Sequence, residues 1–198
     1  MTSRHPITQI KNDRTDARKL DDPNADTCVL ALSDKDGKAS VRTLVLREIR
    51  ANHFLVFMNQ SSPKWKILTE GGDYELLLWY PTMQRQYRIS GTLAFVDEEF
   101  VKSSWLRRPK GSKLLDLYYE HRGDQSSLID SRAELVDQIT GLRQEFKLDD
   151  IAAPTKVAGV ELVATKIEML DLNREDRIHD RQLFMLEGDE WISQYLVP

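Results

Sequence analysis

Thr27-Cys28-Val29-Leu30-Ala31-Leu32-Ser33-Asp34-Lys35-Asp36-Gly37-Lys38-Ala39-Ser40-Val41-Arg42-Thr43-Leu44-Val45-Leu46-Arg47 reads as a β-hairpin. Cys28 to Ser33 is a strand, Asp34-Lys35-Asp36-Gly37 a turn, and Ala39 to Arg47 a second strand rich in β-branched residues. Alternation on that second strand sends Arg42 and Leu44 to one face and Thr43, Val45 and Arg47 to the other. Arg42 and Arg47 therefore cannot both serve one spot directly, and this geometry suits two separate anionic groups. Cys28 has no neighbouring histidine or cationic cluster to activate it, so its thiol reads as a small buried hydrophobe.

Downstream of this hairpin the pattern stays β. His53 to Asn59 is a strand, Ser61-Ser62-Pro63 opens a short helix from Lys64 to about Glu70, and Gly71-Gly72 ends it. Tyr74 to Tyr80 and Gln84 to Val96 are two further strands. Asp97-Glu98-Glu99 starts a helix that runs to Pro109, and another spans about Ser112 to Tyr119. After the Gly123-Asp124 loop, Ser131 and Glu134 have capping-box spacing, with Leu135, Ile139, Leu142 and Phe146 at helical intervals. Gly159 to Leu170, Gln182 to Leu186 and Trp191 to Val197 return to strand. Upstream, residues 1–22 read as a polar, partly helical, peripheral arm closed by Asp21-Asp22-Pro23. Residues 23–198 form a single domain. Strands first, helices inserted and strands last predict the α+β class: an antiparallel barrel of six to eight strands with peripheral helices.

Composition narrows the function. The chain has 198 residues, with 28 Lys+Arg against 32 Asp+Glu interspersed, so no basic field marks it for nucleic acid. Its longest apolar runs, such as Leu76 to Tyr80, are strand-sized, and no membrane span is expected. Met1 to Leu20 lacks the continuous apolar segment of a secretory signal, and the single cysteine fits a reducing cytoplasm. There is no glycine-rich phosphate loop, no zinc spacing or other metal motif, and no nucleophile elbow. A nucleotide would have to be held by side chains.

The residues available for that are cationic and lie on strands or strand ends: Arg42, Arg47, Lys64, Arg85, Arg88, Arg108, Arg177 and Arg181. Guanidinium forks donate paired, charge-assisted bonds to phosphate oxygens, and lysine adds a mobile charge. Arg177-Ile178-His179-Asp180-Arg181 is the densest group. As a strand it would turn Arg177, His179 and Arg181 to one face, a crowding that an anion would relieve.

These motifs, in this order, resemble the pyridoxamine 5′-phosphate oxidase family from about Asp22 to the terminal Trp191-Ile192-Ser193-Gln194-Tyr195-Leu196-Val197-Pro198. Arg42-Thr43-Leu44-Val45-Leu46-Arg47 is similar to that family's FMN-binding strand, Ser62-Pro63-Lys64 to its phosphate-binding turn and Arg85-Gln86 to its glutamine-bearing strand. Gln125-Ser126-Ser127 is similar to its flavin-contacting loop, and Arg177-Ile178-His179-Asp180-Arg181 to its most diagnostic motif. The resemblance implies an FMN-binding split β-barrel. It implies that Arg42, Thr43, Leu44, Val45, Leu46, Phe57, Met58, Lys64, Gln86, Gln125, Ser126 and Arg181 bind FMN. In this set Arg42, Lys64 and Gln125-Ser126 serve the phosphate and ribityl region, and Gln86 and Arg181 approach the isoalloxazine.

The resemblance further implies a homodimer with FMN in two clefts between subunits, dioxygen as oxidant, and a small phosphate-bearing substrate. That substrate is pyridoxine or pyridoxamine 5′-phosphate, oxidised to pyridoxal 5′-phosphate with release of hydrogen peroxide. Arg108 and Ser112 meet its phosphate, Arg47 adds charge, and Arg177 and His179 meet the ring and carry the catalytic role. Four positions depart from the family pattern: Arg47 stands for a lysine, Ser104 for a tyrosine on the substrate phosphate, Asp171 for a tryptophan near the flavin, and Pro63 for an arginine. The stretch between Ser112 and Gln125 is also long. Two alternatives stay open: a divergent FMN oxidoreductase, either flavin reductase-like or an oxidase of another small molecule, and a non-catalytic protein that binds FMN or pyridoxal phosphate.

Overall fold

The computed structural model describes residues 5–147 and 151–198, so Met1 to Arg4 of the N-terminal arm lie outside the described residues. Strand β1 (Thr27–Ser33) pairs antiparallel with β2 (Ala39–Val45), from Thr27 opposite Val45 to Ser33 opposite Ala39. The carboxylate of Asp34 closes the turn by accepting from the Asp36 and Lys38 amides at 3.0 and 2.8 Å. Gly37 there has φ +78°, a backbone state that glycine adopts without strain. The turn is thus as its sequence reads, and β2 alternates half-buried Arg42 and Leu44 with exposed Thr43 and Val45.

The remaining strands are β3 (Glu48–Arg50), β4 (His53–Asn59), β5 (Asp73–Tyr80), β6 (Arg85–Phe95), β7 (Val157–Asp171), β8 (Asp180–Glu187) and β9 (Glu190–Tyr195). They join one nine-stranded sheet in the order β2-β1-β5-β6-β7-β4-β3, with β8 on β7 and β9 on β8. The helices are α1 (Pro6–Lys19), α2 (Pro63–Thr69), α3 (Glu98–Leu106), α4 (Lys110–His121) and α5 (Arg132–Glu145). Ser62, Asp97 and Ser131 cap α2, α3 and α5 by accepting the amides of Trp65, Phe100 and Glu134.

Contacts divide the chain into two units. The first comprises Met1–Val56, Gly71–Ala94 and Glu161–Pro198. Its buried side chains include Leu30, Leu46, Leu76, Leu78, Ile89, Leu162 and Phe184. Gly91 on β6 is required there, because a Cβ at that position would stand 2.0 Å from the Val163 carbonyl oxygen and 2.7 Å from the Thr165 nitrogen. The second unit comprises Phe57–Glu70 and Phe95–Val160. It packs Val101, Trp105 and Val157 in one cluster and Leu114, Tyr118 and Leu142 in another.

The structure corrects three readings of the sequence and extends the strand count to nine. The second hairpin strand ends at Val45; Leu46 and Arg47 lie outside it, and Glu48–Arg50 forms a separate short strand. Arg47 therefore lies outside the strand alternation, its amide donating to the Leu55 carbonyl of β4 at 2.9 Å. Arg177 to His179 are not strand: they lie in the loop 172–179, Arg177 has φ +65°, and β8 begins only at Asp180. The three basic residues of that motif consequently do not share a strand face. Third, the described part of the arm is no peripheral appendage. Helix α1 buries Ile7, Ile10, Asp13, Arg14 and Ala17. Arg14 donates to the carbonyls of Ala25 at 3.1 Å and Leu46 at 2.5 Å, and Asp13 accepts from Arg85 at 2.9 Å and from the buried Tyr87 hydroxyl.

Candidate functional site

In the first unit, β2 presents Arg42 from the half-buried face of an outer strand. Its Nη2 donates to Ser40 Oγ at 2.8 Å, while its Nε is buried without a hydrogen-bond partner among the described residues. A buried N–H lacking an acceptor costs about 1–3 kcal/mol, so this side chain suits an external anionic oxygen. Thr43 and Val45 are exposed, and Leu44 is half-buried. Leu46 is fully buried, its amide donating to Asp26 and its carbonyl accepting from Arg14. Gln86 on β6 is half-buried opposite Trp79. Arg181 is anchored on β8 by Glu168 of β7 at 3.0 Å, and its Nη1 also donates to the Val197 carbonyl.

The loop between β7 and β8 forms a pocket of about 340 Å³ lined by Gln84, Leu172, Asn173, Arg174, Arg177 and His179. His179 Nδ1 accepts from the Asn173 amide at 3.0 Å. That bond leaves Nδ1 without a proton, so the neutral ring carries its proton on Nε2 and offers a donor to the pocket. Arg177 and His179 are thus brought together by the loop, although not by the strand geometry their spacing suggests. Asp171, just before the loop, is ion-paired with Arg85, which Asp13 also holds.

In the second unit, Lys64 follows the proline at the start of α2 and is only 5% exposed. Its Nζ donates to Gln125 Oε1 at 2.8 Å, and the Gln125 amide donates to Ser61 Oγ at 2.9 Å. Ser126 follows with φ +75°, turning the loop sharply. Two motifs distant in sequence therefore meet around one buried ammonium. Phe57 is half-buried and Met58 buried on β4.

Arg108 and Ser112 sit at the junction of α3 and α4. Arg108 Nη1 lies 2.6 Å from Asp116 Oδ2, and its guanidinium stands over the Trp105 ring at 5.7 Å. Ser112, half-buried, is in the first turn of α4. Asp116 gives Arg108 an internal anion, which a substrate phosphate would have to share or displace. Sequence reading singled out neither Asp116, on an amphipathic helix, nor Arg174 and Gln84.

Comparison with known proteins bears on the fold and the family. Residues 20–146 match the family model described as pyridoxamine 5′-phosphate oxidase. A pyridoxine/pyridoxamine 5′-phosphate oxidase of Leptospira biflexa is 33% identical over 177 residues, covering 89% of this chain and 80% of the relative. Among solved structures, PhzG from Burkholderia lata, in complex with tetrahydrophenazine-1-carboxylic acid, aligns with TM-score 0.85 and 24% identity over 98% of this chain and 93% of its own. A pyridoxamine 5′-phosphate oxidase-related, FMN-binding protein from Nostoc punctiforme aligns with TM-score 0.76 and 18% identity over the full length of both. These two show the fold, a split β-barrel of the α+β class. A family match running from the first hairpin to α5, on a chain that keeps the motifs in order, means that the protein belongs to the pyridoxamine 5′-phosphate oxidase family.

Proposed function

We propose that the chain is an FMN-dependent oxidase of pyridoxine or pyridoxamine 5′-phosphate, passing electrons to dioxygen and releasing pyridoxal 5′-phosphate and hydrogen peroxide. The observation that carries the reading is the buried Lys64 ammonium donating to Gln125, which brings together two motifs 61 positions apart that the family resemblance assigns to the same cofactor. Lys64, Gln125 and Ser126 hold the cofactor phosphate and ribityl chain with Arg42, whose unpartnered Nε fits an anionic oxygen. Thr43 to Leu46, Phe57 and Met58 line its surroundings, and Gln86 and Arg181 approach its ring system. When bound, FMN supplies the hydride-accepting centre.

The chain's own residues do the rest. Arg177 and His179 orient the substrate ring, His179 by donating through Nε2. Arg108, Ser112 and Arg47 meet the substrate phosphate. The working form is a homodimer, and the lone buried thiol suits the reducing cytoplasm. One observation favours a second reading. Because Arg108 is already paired with Asp116, and Asp171 with Arg85, these two residues are less free to serve a B6 phosphate, which favours another small molecule or a reductase reaction. Steady-state peroxide formation with each B6 phosphate separates them. The first reading expects peroxide in proportion to pyridoxal 5′-phosphate. NAD(P)H-dependent bleaching of the flavin without B6 turnover would replace it with a reductase, and neither signal would leave a binding protein.

A further inference from the structure

Both sides of the contact between Lys64 and Gln125 in the second unit lead back to one residue, Asn59, at the end of β4. Asn59 is 3% exposed, and its side-chain oxygen accepts two bonds from Ser61, from the amide at 2.9 Å and from Oγ at 2.6 Å. Ser61 Oγ has a single proton and spends it on Asn59, so toward any other group it can only accept. It accepts the Gln125 amide at 2.9 Å, and Gln125 in turn receives the Lys64 ammonium on Oε1 at 2.8 Å. The backbone oxygen of Asn59 supports the other side of the contact. It accepts from Ser62 Oγ at 2.6 Å, and Ser62 caps α2, the helix that carries Lys64.

Stability alone does not explain the side chain of Asn59. Its Nδ2 is buried without a hydrogen-bond partner among the described residues, and a buried donor left unpaired is unfavourable to the fold. The oxygen is the atom that is used, and both of its bonds go to the residue that meets Gln125. Without that oxygen the Ser61 hydroxyl is free to rotate and to turn its proton toward the Gln125 N–H, where donor would face donor. The loop at Gln125 would then lose its bond to the turn between β4 and α2.

We infer that Asn59 is a positioning residue for the cofactor site: acting through Ser61, its side-chain oxygen fixes the loop at Gln125 and thereby holds the Lys64 ammonium where it meets the cofactor phosphate. The inference rests on the proposed reading that gives Lys64 and Gln125 the phosphate end of FMN. Asn59 acts on that end alone, so its effect depends on whether the flavin carries a phosphate.

The test is titration of the full-length protein, freed of bound flavin, with FMN and with riboflavin, which shares the ring system and ribityl chain but lacks the phosphate. Quenching of flavin fluorescence reports binding. Wild type should bind FMN more tightly than riboflavin, and Lys64→Ala should remove most of that preference. Asn59→Ala and Ser61→Ala should each weaken FMN about 10-fold and riboflavin by less than about 3-fold. The double variant should also lose about 10-fold, because both changes break one chain of bonds. Ser61→Thr, which keeps the hydroxyl, should stay within about 3-fold of wild type. Ser61→Ala removes one hydroxyl from a half-buried turn position and carries the test if Asn59→Ala does not fold. Equal weakening of both flavins would give Asn59 a merely structural role and overturn the inference. So would a loss of about 100-fold in the double variant, or Ser61→Thr behaving as Ser61→Ala does. Lys64→Ala keeps the two ideas apart. If it weakens FMN while Asn59→Ala and Ser61→Ala do not, the positioning role falls and the cofactor reading stands; if it leaves FMN as tight as in wild type, the cofactor reading of Lys64 falls and the inference falls with it.

Discussion

At the scale of single residues, the decisive features are hydrogen bonds that commit one atom of a side chain and thereby free another. His179 spends Nδ1 on the Asn173 amide, so it meets a ligand as a donor and not as a base in its neutral form. His179→Ala should therefore keep FMN and lower kcat/KM for pyridoxine 5′-phosphate by about 10-fold, the loss of one orienting hydrogen bond, rather than the 10²–10⁴-fold typical of a lost proton-transfer group. His179→Gln, which can still donate, should recover part of the loss; no recovery together with a bell-shaped pH profile losing one limb would point back to proton transfer. The basic residues of this site were legible in the sequence because their types and order are distinctive. Their committed atoms were not, since Asn173 and Asp116 carry no pattern that distinguishes an anchor from a solvated polar residue.

At the scale of elements, the hairpin, the three capped helices and the C-terminal strand pair could all be read from turn residues, capping spacing and periodicity. Helix α1 could not be read in the same way. Its buried face includes Asp13 and Arg14, residues that a hydrophobic pattern assigns to solvent, and partners outside the helix, among them Ala25, Leu46, Arg85 and Tyr87, make that burial tolerable. The loop 172–179 misled for the opposite reason: alternating charged and apolar residues imitate a strand, while the positive φ of Arg177 breaks it. The α1 account has a measurable consequence. Asp13→Ala leaves Arg85 with Asp171 alone and strands a buried tyrosine hydroxyl, so urea unfolding should show a loss of about 3–5 kcal/mol. Tyr87→Phe, which removes only one hydroxyl, should cost about 1 kcal/mol. Equal, small effects would mean that α1 contributes little to the fold.

At the scale of the whole molecule, distance along the chain is poor evidence for a second subunit, because Lys64 and Gln125 meet within one chain. A better reason to expect a dimer is surface chemistry: Val41 and Val45 stand 66% and 47% exposed on one face of the outer strand β2, and Ile192, Tyr195 and Val197 are exposed in and just after β9. Light scattering should report twice the chain mass, and Val41→Asp should reduce it to the single-chain value; wild type at the single-chain mass with FMN bound would remove the dimer from the proposal. Cofactor identity bears on everything else, because the proposal gives Arg42 and Lys64 one terminal phosphate to hold. The most direct measurement is the absorbance spectrum of the purified protein, followed by identification of what denaturation releases. The account predicts a yellow protein with flavin bands that yields FMN and not FAD; a colourless protein that also fails to take up added FMN would contradict it.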